Sequence, residues 1–275
     1  MTPRGAGLSA RAVTMRVGGR TLVDAVDVDL PPGTVVSVVG PNGAGKSSLL
    51  RLMSGEAPCH EGEVVLDGRP LGLWPLCDHA RRRAVLPQHS SLAFDLSVEA
   101  VVEMGRMPHA GVSSARIDAQ VVEAALERCG AGALRGRAYP TLSGGERQRV
   151  HLARVLAQVW EAPAEGGRYL LLDEPLSAQD LARQHEIMRL VVDLAREGVG
   201  VLVVGHDLNI AARYSDTLVV MARGRVVRAG PPTDVLTPAV VRDAFGIDTL
   251  VTTDPVGGTP LVVVTGAPSL NASAS

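Results

Sequence analysis

The sequence predicts an α/β protein, built on parallel strands joined by helices and preceded by an antiparallel, β-rich start. Three observations carry this. First, TVVSVV (34–39), a short β-branched run, leads into glycine-rich GPNGAGKSS and then into SLLRLMSG, the opening of a helix closed by Gly55. Second, YLLLD (169–173), a helical stretch from about 178 to 197, and VGVLVVG (199–205) give strand, helix, strand. That order needs helical crossovers between parallel strands. Third, residues 12–68 alternate short apolar runs with Gly and Asp turns, as antiparallel strands do.

The remaining elements follow along the chain. From Ser97 to about Gly136 the pattern turns helical: SVEAVVEMGR and IDAQVVEAALERCG carry apolar residues at i, i+3, i+4 with charges between. Ser97 suits an N-cap, with Ala100 rather than Glu three residues on, so no capping box is expected there. LVVMARGRVVRAG (218–230) reads as a hairpin around Arg223-Gly224. A domain over 10–250 is expected, with a helical part at about 89–157. A tail over 251–275 should follow, with its end, SLNASAS, disordered.

Composition narrows the class. The chain has 275 residues, 46% of them hydrophobic and 20% charged, with a formal net charge of −2. It can bury a large core, and it lacks the basic excess of a nucleic-acid binder, so no nucleic-acid partner is expected. No apolar run approaches the ~18 residues that span a bilayer, and MTPRGAGLSAR lacks the apolar centre of a secretory signal. Cys59, Cys77 and Cys129 show no C-x-x-C spacing and fit a reduced cytosol.

GPNGAGKSS fits G-x-x-x-x-G-K-[ST] in the strand–loop–helix context that makes it a nucleoside-triphosphate site. Gly40, Pro41, Asn42, Gly43, Ala44, Gly45, Lys46, Ser47 and Ser48 form the expected cradle. Glycines let backbone N–H groups face a polyphosphate, and the helix N-terminus adds positive potential. Lys46 would reach the β- and γ-phosphates and the Ser47 hydroxyl would ligate Mg²⁺. YLLLDEP delivers Asp173 and Glu174 to a strand's C-terminal end, where α/β sheets place ligands. Asp173 is expected to hold Mg²⁺ and Glu174 to polarise an attacking water.

LSGGERQRVHLARVLA opens a long helix with Leu142, Ser143, Gly144, Gly145 and Glu146, whose N–H groups and serine hydroxyl make a second anion cradle. One nucleotide does not need two cradles. Two chains packed head to tail do, each nucleotide lying between the loop of one and the cradle of the other. Here the sequence resembles the ATP-binding cassette superfamily, whose signature is LSGGE. That resemblance implies a P-loop NTPase of the ABC ATPase type, with a mixed sheet core, an antiparallel β subdomain and a helical signature subdomain. It further implies ATP and Mg²⁺ as ligands and ATP hydrolysis as the activity.

Other motifs of the family carry over residue by residue. Gln88 in VLPQHSS matches the glutamine that contacts Mg²⁺ and the attacking water. His206 in VVGHDLN matches the switch histidine at the γ-phosphate. Ser177, Ala178, Gln179 and Asp180 in PLSAQD match the loop that crosses the dimer interface. His60, His79, His89, His109, His151 and His185 have no ligand spacing and read as surface or packing residues. Two departures stand out. No aromatic precedes Trp74, so adenine would be held by apolar contact or by Arg16 in VTMRVGG, with weak base discrimination. Gln179 stands where Leu is usual, which should alter packing rather than chemistry.

The resemblance is greatest to ATP-binding subunits of bacterial haem importers, within the wider group serving ferric siderophores and cobalamin. GRPLGLWPLCDHARRRAVLPQHSSLAF, VVEMGRMPHAG and the long connection LAQVWEAPAEGGRYLLLDEP support it. It implies a homodimer on the cytoplasmic face of the membrane, bound to two copies of a permease that is served by a periplasmic or surface haem-binding protein. Phe94 is either an anchor in the permease groove or simply core. A ferric-siderophore or cobalamin importer, and a non-transport cassette ATPase, are the competing functions.

Overall fold

The computed structural model describes residues 7–88, 95–177 and 179–266. Two long strands, β1 (Leu8–Val17) and β2 (Arg20–Leu30), pair antiparallel and lead into β3 (Val35–Val39), whose five residues are all buried. The helix α1 (Lys46–Met53) follows, then β4 (Glu61–Leu66) and the short β5 (Arg69–Pro70). Together β2-β1-β4-β5 form the antiparallel sheet that the alternating start of the chain predicts.

The chain continues through α2 (Leu76–Arg82), β6 (Arg83–Leu86), α3 (Val98–Glu103), α4 (Ala115–Arg128) and α5 (Gly144–Gln158). It then lays down β7 (Arg168–Asp173), α6 (Leu181–Arg196), β8 (Val199–Gly205), α7 (Leu208–Tyr214), β9 (Thr217–Ala222) and β10 (Arg225–Gly230). Last come α8 (Pro232–Val235), α9 (Pro238–Phe245) and the strands β11 (Asp248–Thr253) and β12 (Pro260–Gly266). The main sheet runs β10-β9-β3-β8-β7-β6, parallel except for the β9–β10 hairpin, so it is mixed. The hairpin turns at Arg223 (φ 51°) and Gly224 (φ 79°), the pair of left-handed residues that matches strand twist.

Side chains on the central strands alternate between two cores, as the two-residue period of a strand requires. Leu170, Leu172, Val201 and Val203 face one core with α3, α4, α5 and α6. Leu171, Leu202, Val204, Val36 and Val38 face the other, with α1 and the antiparallel sheet. No helix among the described residues is long and apolar enough to cross a membrane.

Two features depart from the reading of the sequence. The helical pattern from Ser97 is interrupted: a 3₁₀ segment, Met104–His109, containing Pro108, separates α3 from α4. A Cβ at Gly105 would stand 2.1 Å from the Arg154 carbonyl oxygen, so this segment lies tight against α5. Ser97 caps α3 as expected, its hydroxyl accepting from the Ala100 N–H. A boundary at residue 250 falls inside β11; SLNASAS lies outside the described residues.

The end of α5 is fastened to the sheet core. The Gln158 side-chain amide donates to the carbonyls of Ala80 (2.7 Å) and Arg83 (3.1 Å). Buried Arg106 bonds Asp118 (2.8 Å), the Ala157 carbonyl (2.6 Å) and Glu161 (2.6 Å), tying the connection after α5 to the helical layer. Charged bonds that satisfy a buried guanidinium on several sides are costly to remove singly.

Candidate active site

The phosphate loop is shaped by what surrounds it. Gly45 has φ 98°, and a Cβ there would lie 2.4 Å from the Leu22 carbonyl oxygen of β2, so only glycine fits. Lys46 opens α1 but folds back, its Nζ donating to the carbonyls of Gly40 (2.7 Å) and Pro41 (3.1 Å). Burial lowers the Lys46 pKa, while the nearby Glu174 and Asp173 carboxylates oppose that shift.

Adjacent strand ends supply the polar groups. Asp173 closes β7 and accepts a hydrogen bond from the Ser47 hydroxyl at 3.1 Å. Burial raises its pKa; the Ser47 bond works against that and Glu174 adds to it. A buried carboxylate beside a hydroxyl, both oxygen donors, is a donor set suited to Mg²⁺. Glu174 takes a left-handed backbone, φ 48°, with its N–H donating to the Val204 carbonyl at 2.9 Å. Such conformations in non-glycine residues cluster at functional sites. Gln88, just after β6, donates from Nε2 to Glu174 Oε2 at 2.8 Å. Exposed His206 follows the neighbouring strand β8 and lines one cavity together with Glu174. The structure therefore gathers Lys46, Ser47, Gln88, Asp173, Glu174 and His206 around the C-terminal edge of the sheet.

The signature turn stands apart from this group: among the described residues no hydrogen bond joins residues 142–146 to the phosphate loop. Ser143 caps α5, its hydroxyl accepting from the Glu146 N–H (3.3 Å) while Glu146 accepts from the Ser143 N–H (2.8 Å). The S-x-x-E spacing of Ser143 and Glu146 is the sequence mark of this capping box. The bonds from Ser143, together with Arg137, hold the Glu146 carboxyl down at about 2. In this chain the Ser143 hydroxyl and N–H are therefore engaged internally. Gly144 and Gly145, in the first helical turn, carry N–H groups with no intrahelical acceptor.

The loop after Glu174 is stitched to α5. Gln148 donates to the Pro175 carbonyl (3.2 Å) and Gln179 to the Gly145 carbonyl (3.3 Å), so Gln179 makes a specific polar contact beyond packing. Ser177 donates to the Glu174 carbonyl (2.9 Å), and Asp180 caps α6 through the Arg183 N–H (2.9 Å). Ala178 and Phe94 lie outside the described residues. Arg16 is paired with Glu61 of β4 at 2.6 Å.

Comparison with known proteins decides the family. The family model described as ABC transporter matches residues 23–177, the span from β2 to the loop after Glu174. The chain belongs to the ABC transporter family. Among its ABC relatives, the hemin import ATP-binding protein HmuV of Pseudomonas aeruginosa is 50% identical over 256 residues, covering 93% of this chain and 99% of that one. An inward-facing ABC transporter of metal-chelate type superposes with a TM-score of 0.78 at 25% identity, covering 94% of this chain and 97% of that one. A dimeric bacterial ABC transporter cassette gives 0.71 at 26% identity, over 82% and 98%. The ABC fold, with its mixed sheet, antiparallel subdomain and helical layer, is the one the sequence predicts.

Proposed function

We propose that this chain is the ATP-hydrolysing subunit of a hemin importer, working as a homodimer on the cytoplasmic face of the membrane. Two copies of a permease, served by a haem-binding protein, complete the assembly. The observation that carries the ATPase is the convergence of Ser47, Asp173, Glu174 and Gln88 beside the phosphate loop. Haem as cargo is supported by the 50% identity to a hemin import ATP-binding protein over nearly the full chain.

The residues divide the work. Lys46 exchanges the Gly40 and Pro41 carbonyls for phosphate oxygens, neutralising charge without a separate desolvation step. Ser47 and Asp173 hold Mg²⁺, with Gln88 completing the set; when bound, the ion screens the phosphate charges. Glu174 orients water and takes up its proton, and the Gln88 amide fixes which carboxylate oxygen remains free. His206 faces the γ-phosphate from β8. The Gly144 and Gly145 N–H groups serve the nucleotide of the partner chain, because the signature turn makes no bond to its own phosphate loop. Closure of the dimer on ATP, and its opening after hydrolysis, drive the permease.

Growth and iron uptake on haem, against a ferric siderophore, test this in a host lacking the chain and complemented with wild type or Glu174→Gln. Loss on haem alone, restored only by wild type, is the expected result. Equal loss on both sources, or loss on the siderophore alone, would reassign the cargo and keep the motor.

A further inference from the structure

The strands β11 and β12 lie beyond every motif of the site, yet they are joined to the helix that begins two residues after His206. Asp207 caps α7, its Oδ1 accepting from the N–H groups of Asn209 (2.8 Å) and Ile210 (2.9 Å). Asn209 then uses both ends of its amide on a single residue of β12. It accepts from the Val262 N–H at 2.8 Å and donates to the Val262 carbonyl at 3.2 Å. The side chain thereby acts as one more peptide group on the edge of the hairpin. One turn on, Arg213 pairs with Asp254 in the loop between the two strands. Asp254 is only 7% exposed and also accepts from the Val256 N–H at 2.9 Å, so the anchor on the hairpin side is itself rigid. Val262 is 8% exposed and belongs to the core shared by α7, α8 and α9.

We infer that Asn209 is a positioning residue through which the C-terminal hairpin fixes His206 toward the nucleotide. His206 is exposed, at the mouth of the cavity that it lines with Glu174, and its own side chain is not packed into the core. Its placement is set by the two-residue link 206–207 between β8 and α7. The helix α7 has only seven residues, too few to be stable alone. Two side chains on successive turns, Asn209 and Arg213, clamp it to a hairpin whose Val262 is buried in the core that α7 shares with α8 and α9. A catalytic group held this way loses little order when the site closes, and small misplacements of such groups are expensive in rate.

The inference rests on the proposed role of His206, so the test separates the two. ATP hydrolysis by the full chain, assembled with its permease, is measured across ATP concentrations for wild type, Asn209→Leu, Arg213→Met, His206→Ala and the double variant Asn209→Leu/His206→Ala. Single-turnover rates keep the slow variants measurable. Asn209→Leu should lower kcat by ~10-fold while changing the KM for ATP less than ~2-fold, the signature of lost transition-state positioning. In the His206→Ala background the same substitution should have no further effect, since neighbours acting through one group are not additive. Arg213→Met should fall between wild type and Asn209→Leu; if Asn209→Leu does not fold, this variant decides by the same criteria. A kcat for Asn209→Leu within ~2-fold of wild type overturns the inference. So does an equal fractional loss in the His206→Ala background, which a merely structural role would give. A wild-type rate in His206→Ala would instead remove the histidine from the mechanism.

Discussion

Gln88 Nε2 lies 2.8 Å from Glu174 Oε2, joining the loop after β6 to the carboxylate just beyond β7. The segment from β6 onward thus reports directly on the residue proposed to activate water. Replacing Glu174 with Gln should leave ATP binding intact and trap a closed dimer. If the carboxylate lowers the barrier by ~3–4 kcal/mol, hydrolysis falls ~10²–10³-fold. Steady-state ATPase and size-exclusion chromatography with ATP measure both effects; an unchanged rate would refute the role.

Lys46 is satisfied without nucleotide, through the Gly40 and Pro41 carbonyls. Lys46→Ala should therefore spare the fold but weaken ATP binding. Thermal melts should show the ATP-induced rise in Tm for wild type and little rise for the variant, since ligand stabilisation follows occupancy. A full rise in the variant would exclude the lysine from phosphate binding.

Ser143 caps α5, and under the proposed function it also opens the turn offered to a partner chain. Ser143→Arg should remove activity while leaving nucleotide affinity unchanged. Loss of the cap alone costs ~1 kcal/mol, too little to unfold the chain. Fluorescent-nucleotide titration beside ATPase assays separates these effects, and surviving activity would argue against the composite site.

Arg16 pairs with Glu61 at 2.6 Å, and both side chains stay about half exposed. Val17, 53% exposed, follows Arg16 on the same strand just before the Gly18-Gly19 turn. Apolar contact distinguishes purines poorly. If apolar contact alone holds the base, GTP should be hydrolysed within ~3-fold of ATP at saturation. Much slower turnover of GTP would mean that the base edge is read elsewhere.

His151 is buried in α5, bonded to the Tyr139 hydroxyl at 2.7 Å, and burial pushes its pKa down to about 4. Between about 4 and the ordinary value of 6.5 the unfolded chain binds a proton that the folded chain does not. Stability from this residue is therefore complete above 6.5 and lost as pH falls toward about 4. His151→Phe should flatten the pH dependence of Tm across that window, at the expense of the tyrosine bond. Parallel curves for the two proteins would contradict the assignment.

The phosphate loop, the Asp173–Glu174 pair and the parallel strands were legible because each combines a residue pattern with a structural period. Other features were not. Asp67 gathers the Tyr169 hydroxyl (2.6 Å) and the Gly167 N–H (3.1 Å) from a hundred residues away, and no local pattern announces such a partner. The contacts of Gln179 with Gly145 and of Asn209 with Val262 depend on elements meeting in space. The break between α3 and α4 carried a visible sign in Pro108, outweighed by the apolar periodicity on either side.

Gln158 fixes one end of α5 to the carbonyls of Ala80 and Arg83, while Ser143 lies at the other end. With 15 residues, the helix spans about 22 Å at 1.5 Å per residue. A rigid arm of that length, hinged at its far end, converts a swing of about 10° into about 4 Å of travel at the signature turn. Under the proposed function, an angular change that small is enough to make or break a hydrogen bond to a nucleotide held by a second chain.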